Sequence, residues 1–332
     1  MDRLKIIQSK AELADIPKGL ALSIGNFDGV HLGHRKILSA GRDIVKSGNL
    51  PGLAVMAFEP HPIAVLHPES FAGLLTPLPL KSHLLEQNSA DYLIILKDSY
   101  ELLNLSPDNF IEQFLMKNIS PSVLIEGVNF NFGYGRSGDI HTLEKLGTKF
   151  GFGCVIVPPL QVELTDGQKT MVSSSLIRNL LASGQVEDSA KALGRFYRLI
   201  GTIIPGRGKG AELGFPTANI QPAEQIIPAE GVYAGLVEIG DTFDTVCKLE
   251  EKLPAVFSIG RAKTFVTEQH LLTEAHILAE DVGKLHGKWL AMDVVAKIRN
   301  PQRFENEKAL SKQIAKDCKT AKEILATMNT NK

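Results

Sequence analysis

Cysteine is scarce in this chain. Three residues in 332, Cys154, Cys247 and Cys318, are too few, too widely spaced and odd in number for a disulfide framework or a Cys-rich zinc module. An excess of either charge is also missing: 36 Lys and Arg against 37 Asp and Glu leave a net charge of −1. That balance excludes a protein that coats nucleic acid with a broad basic face, yet allows a local pocket for a small anion. No apolar run approaches membrane-spanning length, and the opening "MDRLKIIQSKAEL" lacks the apolar core of a signal peptide. No repeat or low-complexity block is visible. The expectation is a cytoplasmic globular protein that acts on small molecules, with neither a nucleic-acid nor a membrane partner, and that is a monomer or a weak homo-oligomer.

What is present falls into two textures. In the first half, short apolar runs alternate with longer amphipathic stretches: "LALSI" (20–24), "LAVMAF" (53–58), "YLIIL" (92–96), "SVLIEG" (122–127) and "CVIVP" (154–158). The rhythm predicts a mostly parallel sheet with helices on both faces, whose ligands bind beyond the carboxyl ends of the strands. "SSSLIRNLLASGQVEDSAKALG" then reads as one or two helices, breaking near Gly184. From about residue 195, Gly/Pro turns separate short β-type runs, "LIGTII", "GVYAGLVEI", "PAVFSI" and "EAHIL", which predict an antiparallel barrel or sandwich. Helical spacing returns in "NEKALSKQIAKDCKTAKEILATM". The boundary falls near residues 185–195 and gives domains 1–186 and 187–332. The length itself favours two domains.

Three stretches follow predicted strands in the first half: "GNFDGVHLGH" (25–34), "EPHP" and "GVNFNFGYGRSGD". A strand feeding a Gly-containing turn and then a helix presents backbone N–H groups and a positive dipole to an anion. Gly25, Gly29 and Gly33 permit tight turns, and His31 and His34 can donate to phosphate oxygens. Nucleotidyl transfer suits such a site, because positioned donors with Mg²⁺ stabilise charge spreading over the α-phosphate and pyrophosphate. Histidines that merely cap a helix remain a competing reading. Zinc is weaker, since no third ligand accompanies the pair. "FEPHP" places His61 in a stiff loop, and "VSSSLIR" sets Ser173 to Ser175 ahead of a helix with Arg178 one turn inside.

In the second half, "GRGKGAELGFPTANI" (206–220) is glycine-rich, then rigid at Pro216, then polar at Thr217 and Asn219. A glycine loop can wrap phosphates while Thr and Asn supply hard oxygens for Mg²⁺. From the residues alone, a cluster of turns is an equal reading.

The ordered series "GNFDGVHLGH", "FEPHP", "GVNFNFGYGRSGD", "VSSSLIR", "LGFPTANI", "GVYAG" and "EAHIL" resembles the bacterial bifunctional riboflavin kinase/FAD synthetase family over nearly the whole chain. The resemblance implies a Rossmann-like nucleotidyltransferase domain that adenylylates FMN, then a mainly antiparallel riboflavin-kinase-like β-barrel with a C-terminal helix. It implies ATP and flavins as substrates and Mg²⁺ as cofactor. His31 and His34 would be catalytic, with Gly25, Phe27, Gly33, Ser174 and Arg178 binding ATP and with His61 and Asn129 near the flavin. In the kinase half, Gly206 and Gly210 would line the nucleotide loop, Thr217 and Asn219 hold Mg-ATP, Glu274 act as catalytic base and Arg299 lie on the flavin side.

Departures from the family pattern gather in that half. Ala211 replaces an Arg, "SIGRAKTF" (258–265) brings Ala262 and Lys263, "HGK" (286–288) replaces Tyr-Gly-Lys, and Pro301 stands for a Glu. Three readings stay open at this point: a two-step enzyme, an adenylyltransferase whose second domain is weakened or only binds flavin, and a non-catalytic flavin-responsive regulator.

Overall fold

The computed structural model describes residues 4–66, 68–71, 73–97, 100–206, 209–248, 252–261, 271–279 and 282–329. The chain divides into two compact units, residues 1–72 with 81–161 and residues 73–80 with 162–332.

The first unit is built on six parallel strands: β1 (Lys5–Ile7), β2 (Ala21–Ile24), β3 (Leu53–Glu59), β4 (Tyr92–Lys97), β5 (Val123–Gly127) and β6 (Gly153–Val157), in the order β1-β4-β3-β2-β5-β6. The four residues of β2 and the first five of β3 are all buried, as expected of strands covered on both faces. The core gathers Leu22, Ile24, Met56, Ile94 and Leu124 with Phe110, Phe114, Leu143 and Leu146 from the flanking helices. The stretch "SPDNFIEQFLMKN" (106–118) contains a π-helical segment, Phe110–Met116, which turns Phe110, Ile111, Phe114 and Leu115 inward together. β1 was not foreseen; three residues pairing along one edge of β4 leave almost no period to detect. From β2 the chain moves outward through β3 and β4, then returns to place β5 on the other side of β2. The strand order therefore reverses between β2 and β5.

Near the unit boundary lies a short hairpin of β7 (Gln161–Glu163) and β8 (Lys169–Met171). The helices Ser174–Ser183 and Val186–Leu193 follow, separated by Gly184 in the left-handed region (φ 77°). Their residues Ile177, Leu181, Val186 and Leu193 join the second unit's core with Tyr197 and Leu199. That core fills a closed barrel of β9 (Tyr197–Ile204), β10 (Ala218–Pro222), β11 (Gly231–Gly240), β12 (Leu253–Arg261), β13 (Leu271–Ile277) and β14 (Trp289–Arg299), ordered β10-β13-β12-β11-β14-β9. Closure removes the exposed edges of an open sheet. The C-terminal helix, Glu307–Asn329, lays Cys318 and Ala321 on Val232, Ala234 and Val256 of the barrel's outer face.

The barrel also carries a buried ionic clasp. The Arg198 guanidinium donates to Asp293 (2.7 and 2.7 Å), to Glu238 (2.8 and 3.1 Å) and to the Val246 carbonyl (3.1 Å), and the Lys252 ammonium adds a 2.7 Å bond to Asp293. Burial by itself would raise the Asp293 carboxyl; the hydrogen bonds and charges of Arg198 and Lys252 bring it below its ordinary range. Removing one partner strands the others in a poorly hydrated place. Asp293→Ala is expected to cost about 3–5 kcal/mol in denaturant unfolding, whereas the exposed pair Lys248–Asp244 is worth under about 1 kcal/mol.

Candidate active sites

Residues Gly25 to His34 leave the carboxyl end of β2 at the point of reversal. The Gly25 N–H completes the ladder to the Met56 carbonyl (2.9 Å), after which the backbone turns sharply. Phe27 (φ 47°), Gly29 (φ 93°) and Val30 (φ 37°) all take left-handed conformations. For the two non-glycine residues this costs about 1–3 kcal/mol each, and their buried side chains (2% and 0% exposed) hold the loop in that shape. The loop ends at His31, whose side chain caps the 17-residue helix Leu32–Gly48.

His31 Nδ1 accepts the His34 N–H (3.2 Å), so the neutral ring carries its proton on Nε2, as a donor. The two imidazoles stack at 3.6 Å between centroids, and Phe27 lies against His34 at 4.8 Å. The helix has no acidic residue in its first turn to cancel the positive end of its dipole. His61 is buried and follows the cis peptide Glu59–Pro60. Its Nδ1 accepts the Ile63 N–H (3.2 Å), and its Nε2 lies 3.1 Å from the Asn26 amide nitrogen. The structure thus joins the "FEPHP" and "GNFDG" loops. Asn129 is exposed one strand along, just past β5, its carbonyl accepting from Asn131 (2.8 Å).

Sequence reading passed over three charged groups here. Asp28 (1% exposed), Lys81 (2%) and Glu126 (2%) are buried in the first unit. Burial lowers the Lys81 ammonium, and the charges of Asp28 and Glu59 oppose that shift. Glu126 is the one with a visible signal, a carboxylate inside the apolar run "SVLIEG".

In the second unit, Ser173 caps the Ser174–Ser183 helix by accepting the Leu176 N–H (3.1 Å), and Ser174 and Arg178 stand one turn apart on one face of it. On the barrel, a row of paired residues runs around the wall: Arg299 beside Val232, Val232 beside Ser258, Ser258 beside Glu274, and Glu274 beside Asn219. Directly paired residues share a face. The buried neighbours Thr273 and Ala275 show that Glu274 and Asn219 face out of the barrel. Glu274 lines a hollow of about 160 Å³ with Ser258, Gly260 and Leu272, and burial pushes its carboxyl above the ordinary range.

Described residues of the loop before β10 pack against the Asn219 end of this row. A side chain on Gly206 would collide with the Asn219 amide; on Gly210 it would lie 2.5 Å from the Phe215 carbonyl and 2.9 Å from Thr217 Oγ1. His276 Nδ1 donates to the Pro216 carbonyl (2.8 Å) and meets Phe215 edge-on at 5.5 Å, pinning the far end of the loop. Gly206, Gly210, Thr217, Asn219 and Glu274 are therefore gathered in one place. Arg299 is not: it lies three strand spacings from Glu274, about 14 Å along the wall. Its guanidinium holds Asp317 of the C-terminal helix (2.8–3.1 Å). Ala211 and Pro301 are exposed, and Ala262 and Lys263 lie outside the described residues.

Comparison with known proteins decides the family of the chain. The FAD synthetase family model matches residues 13–175, and the riboflavin kinase model matches residues 193–325. The chain belongs to the bifunctional riboflavin kinase/FMN adenylyltransferase family. It is 35% identical to the protein of that name from Escherichia coli K12, over 97% of this chain and 98% of the relative. The Haemophilus influenzae relative is 33% identical over 96% and 98%. The Bacillus subtilis relative is 32% identical over 89% of each chain. Among solved structures, a Streptococcus pneumoniae protein described as a macrolide-efflux protein superposes with a TM-score of 0.82 at 25% identity, covering 96% of this chain and 99% of that one. No helix among the described residues of this chain is long and apolar enough to cross a membrane.

The close approach at Gly210 yields a direct test. Gly210→Ala is expected to lower FMN formation from riboflavin about tenfold or more while leaving FAD formation from supplied FMN within about twofold, read by chromatographic separation of the flavins.

Proposed function

We infer that the chain makes FAD from riboflavin in two ATP-dependent steps, one in each family domain. The observation that carries this is the presence, in one chain, of a strand–loop–helix anion site with stacked His31 and His34 and of a barrel row that sets Glu274 beside Asn219 under a glycine loop.

In the kinase half, the riboflavin 5′-hydroxyl attacks the γ-phosphorus, its proton passes to Glu274, and ADP leaves. Thr217 Oγ1 and the Asn219 amide oxygen are hard donors gathered beneath Gly206 and Gly210, a set that fits Mg²⁺. Bound there, the ion supplies charge neutralisation for the phosphates. Ser258, opposite Glu274, and Arg299, through the helix it anchors, shape the flavin side.

In the adenylyltransferase half, a phosphate oxygen of FMN attacks the α-phosphorus of a second ATP and pyrophosphate leaves. Protonated Nε2 of His31, with His34 stacked on it, donates to the charge that builds there, and the helix N-terminus adds its dipole. Gly25, Phe27 and Gly33 shape the loop, Ser174 and Arg178 offer a hydroxyl and a guanidinium to phosphates, and His61 and Asn129 line the flavin side. The functional halves are 1–186 and 187–332. We place the enzyme in the cytoplasm, as a monomer or weak homo-oligomer without nucleic-acid partners.

Two substitutions separate the steps. His31→Ala is expected to abolish FAD formation and spare FMN formation, and Glu274→Gln to do the reverse; a His31→Ala protein that makes FAD but no FMN would reverse the assignment of halves. Because Glu274 works only when ionised and burial raises its pKa, kcat/KM for FMN formation should fall on acidification at a higher pH than an ordinary carboxylate would give. A pH profile whose acid limb lies at or below the ordinary carboxylate range would remove Glu274 from that role.

A further inference from the structure

The parallel ladder between β2 and β5 stops early. It pairs Ala21 with Val123 and Leu22 with Leu124 and goes no further. On their other sides both strands stay paired to the end, β2 with β3 through Ile24 and Met56, β5 with β6 through Gly127 and Val157. The sheet is therefore split along one seam, at the reversal of strand order from which Gly25–His34 departs.

The Gly25 N–H points to β3, so the preceding N–H, that of Ile24, points into the split. A backbone donor buried there needs an acceptor. Glu126 supplies it: its Oε1 accepts the Ile24 N–H at 2.6 Å, a side chain standing where a backbone carbonyl of β5 would otherwise be. Glu126 is 2% exposed and paired in register with Ile156 of β6. Burial also raises its pKa well above the carboxylate range.

We propose that Glu126 is a positioning residue for adenylyl transfer: as a side-chain rung between β2 and β5, it holds the seam open and fixes the direction in which the loop bearing His31 and His34 leaves the sheet. This rests on the assignment of FAD formation to the first half. The role requires an acceptor oxygen at this reach, not a negative charge.

The test uses the full-length protein and two substitutions. Glu126→Gln keeps a neutral acceptor and should retain kcat for FAD formation within about threefold. Glu126→Leu removes it and should lower that kcat about tenfold or more, with KM for FMN within about twofold and riboflavin phosphorylation by the same molecules unchanged. Wild-type kcat in Glu126→Leu, or a Gln variant as impaired as the Leu variant, overturns the proposal. If Glu126→Leu does not fold, amide hydrogen exchange decides: the Ile24 N–H should be protected in both the unsubstituted and Gln proteins, and rapid exchange in either contradicts the rung. An unsubstituted protein that makes no FAD would instead overturn the underlying assignment of function.

Discussion

The loop that bears His31 and His34 depends on a reversal in the first unit's sheet. A parallel sheet pairs every strand on both sides until the direction of winding changes, and at that seam two neighbouring strands send their connections to opposite faces. Here the seam lies between β2 and β5, and the ladder ends at Leu22 and Leu124. The room so opened lets the backbone turn through three left-handed residues within four positions, which no continuing strand would tolerate. The stacking of His31 on His34 follows from that turn, because it makes His31 the helix cap and sets its ring against the first turn. Sheet topology, loop strain and imidazole geometry are thus successive results of one constraint.

The barrel solves a different problem with a different device. Antiparallel register makes a carboxylate on β13 and an amide on β10 neighbours on one face, although they are distant in sequence. A closed barrel holds that relation rigidly, and the Arg198 clasp and the Arg299–Asp317 pair fasten it from outside. The glycine loop can then approach Asn219 and Thr217 closely, because no Cβ stands in the way. In one half the proposed site lies on a loop; in the other it lies on strands, with a glycine loop against Asn219 and Thr217.

Much of this was legible in the sequence. Buried runs such as "LAVMAF" announce a parallel sheet, Gly184 announces a helix break, and "GNFDGVHLGH" behind an apolar run announces a tight turn into a helix. What escaped is what depends on register or on three dimensions. β1 is too short to show a period, and β14, though long, spaces its charged residues irregularly and so lacks a strict two-residue alternation. The apolar stripe of "SLIRNLL" gives no hint of which core will receive it; Ile177 and Leu181 join the barrel's. The resemblance sets Arg299 on the flavin side, and its pairing with Asp317 shows only once the fold brings the C-terminal helix to it. Glu126 was visible as a carboxylate among apolar residues, but its use as a ladder acceptor needs the position of Ile24.

The central claim is that both sites work within one chain. Incubating the unsubstituted protein with riboflavin, ATP and Mg²⁺, and following the flavins over time, tests it most directly. FMN should appear first and FAD should follow at its expense; FMN that accumulates without FAD, or riboflavin left unchanged, would contradict the account.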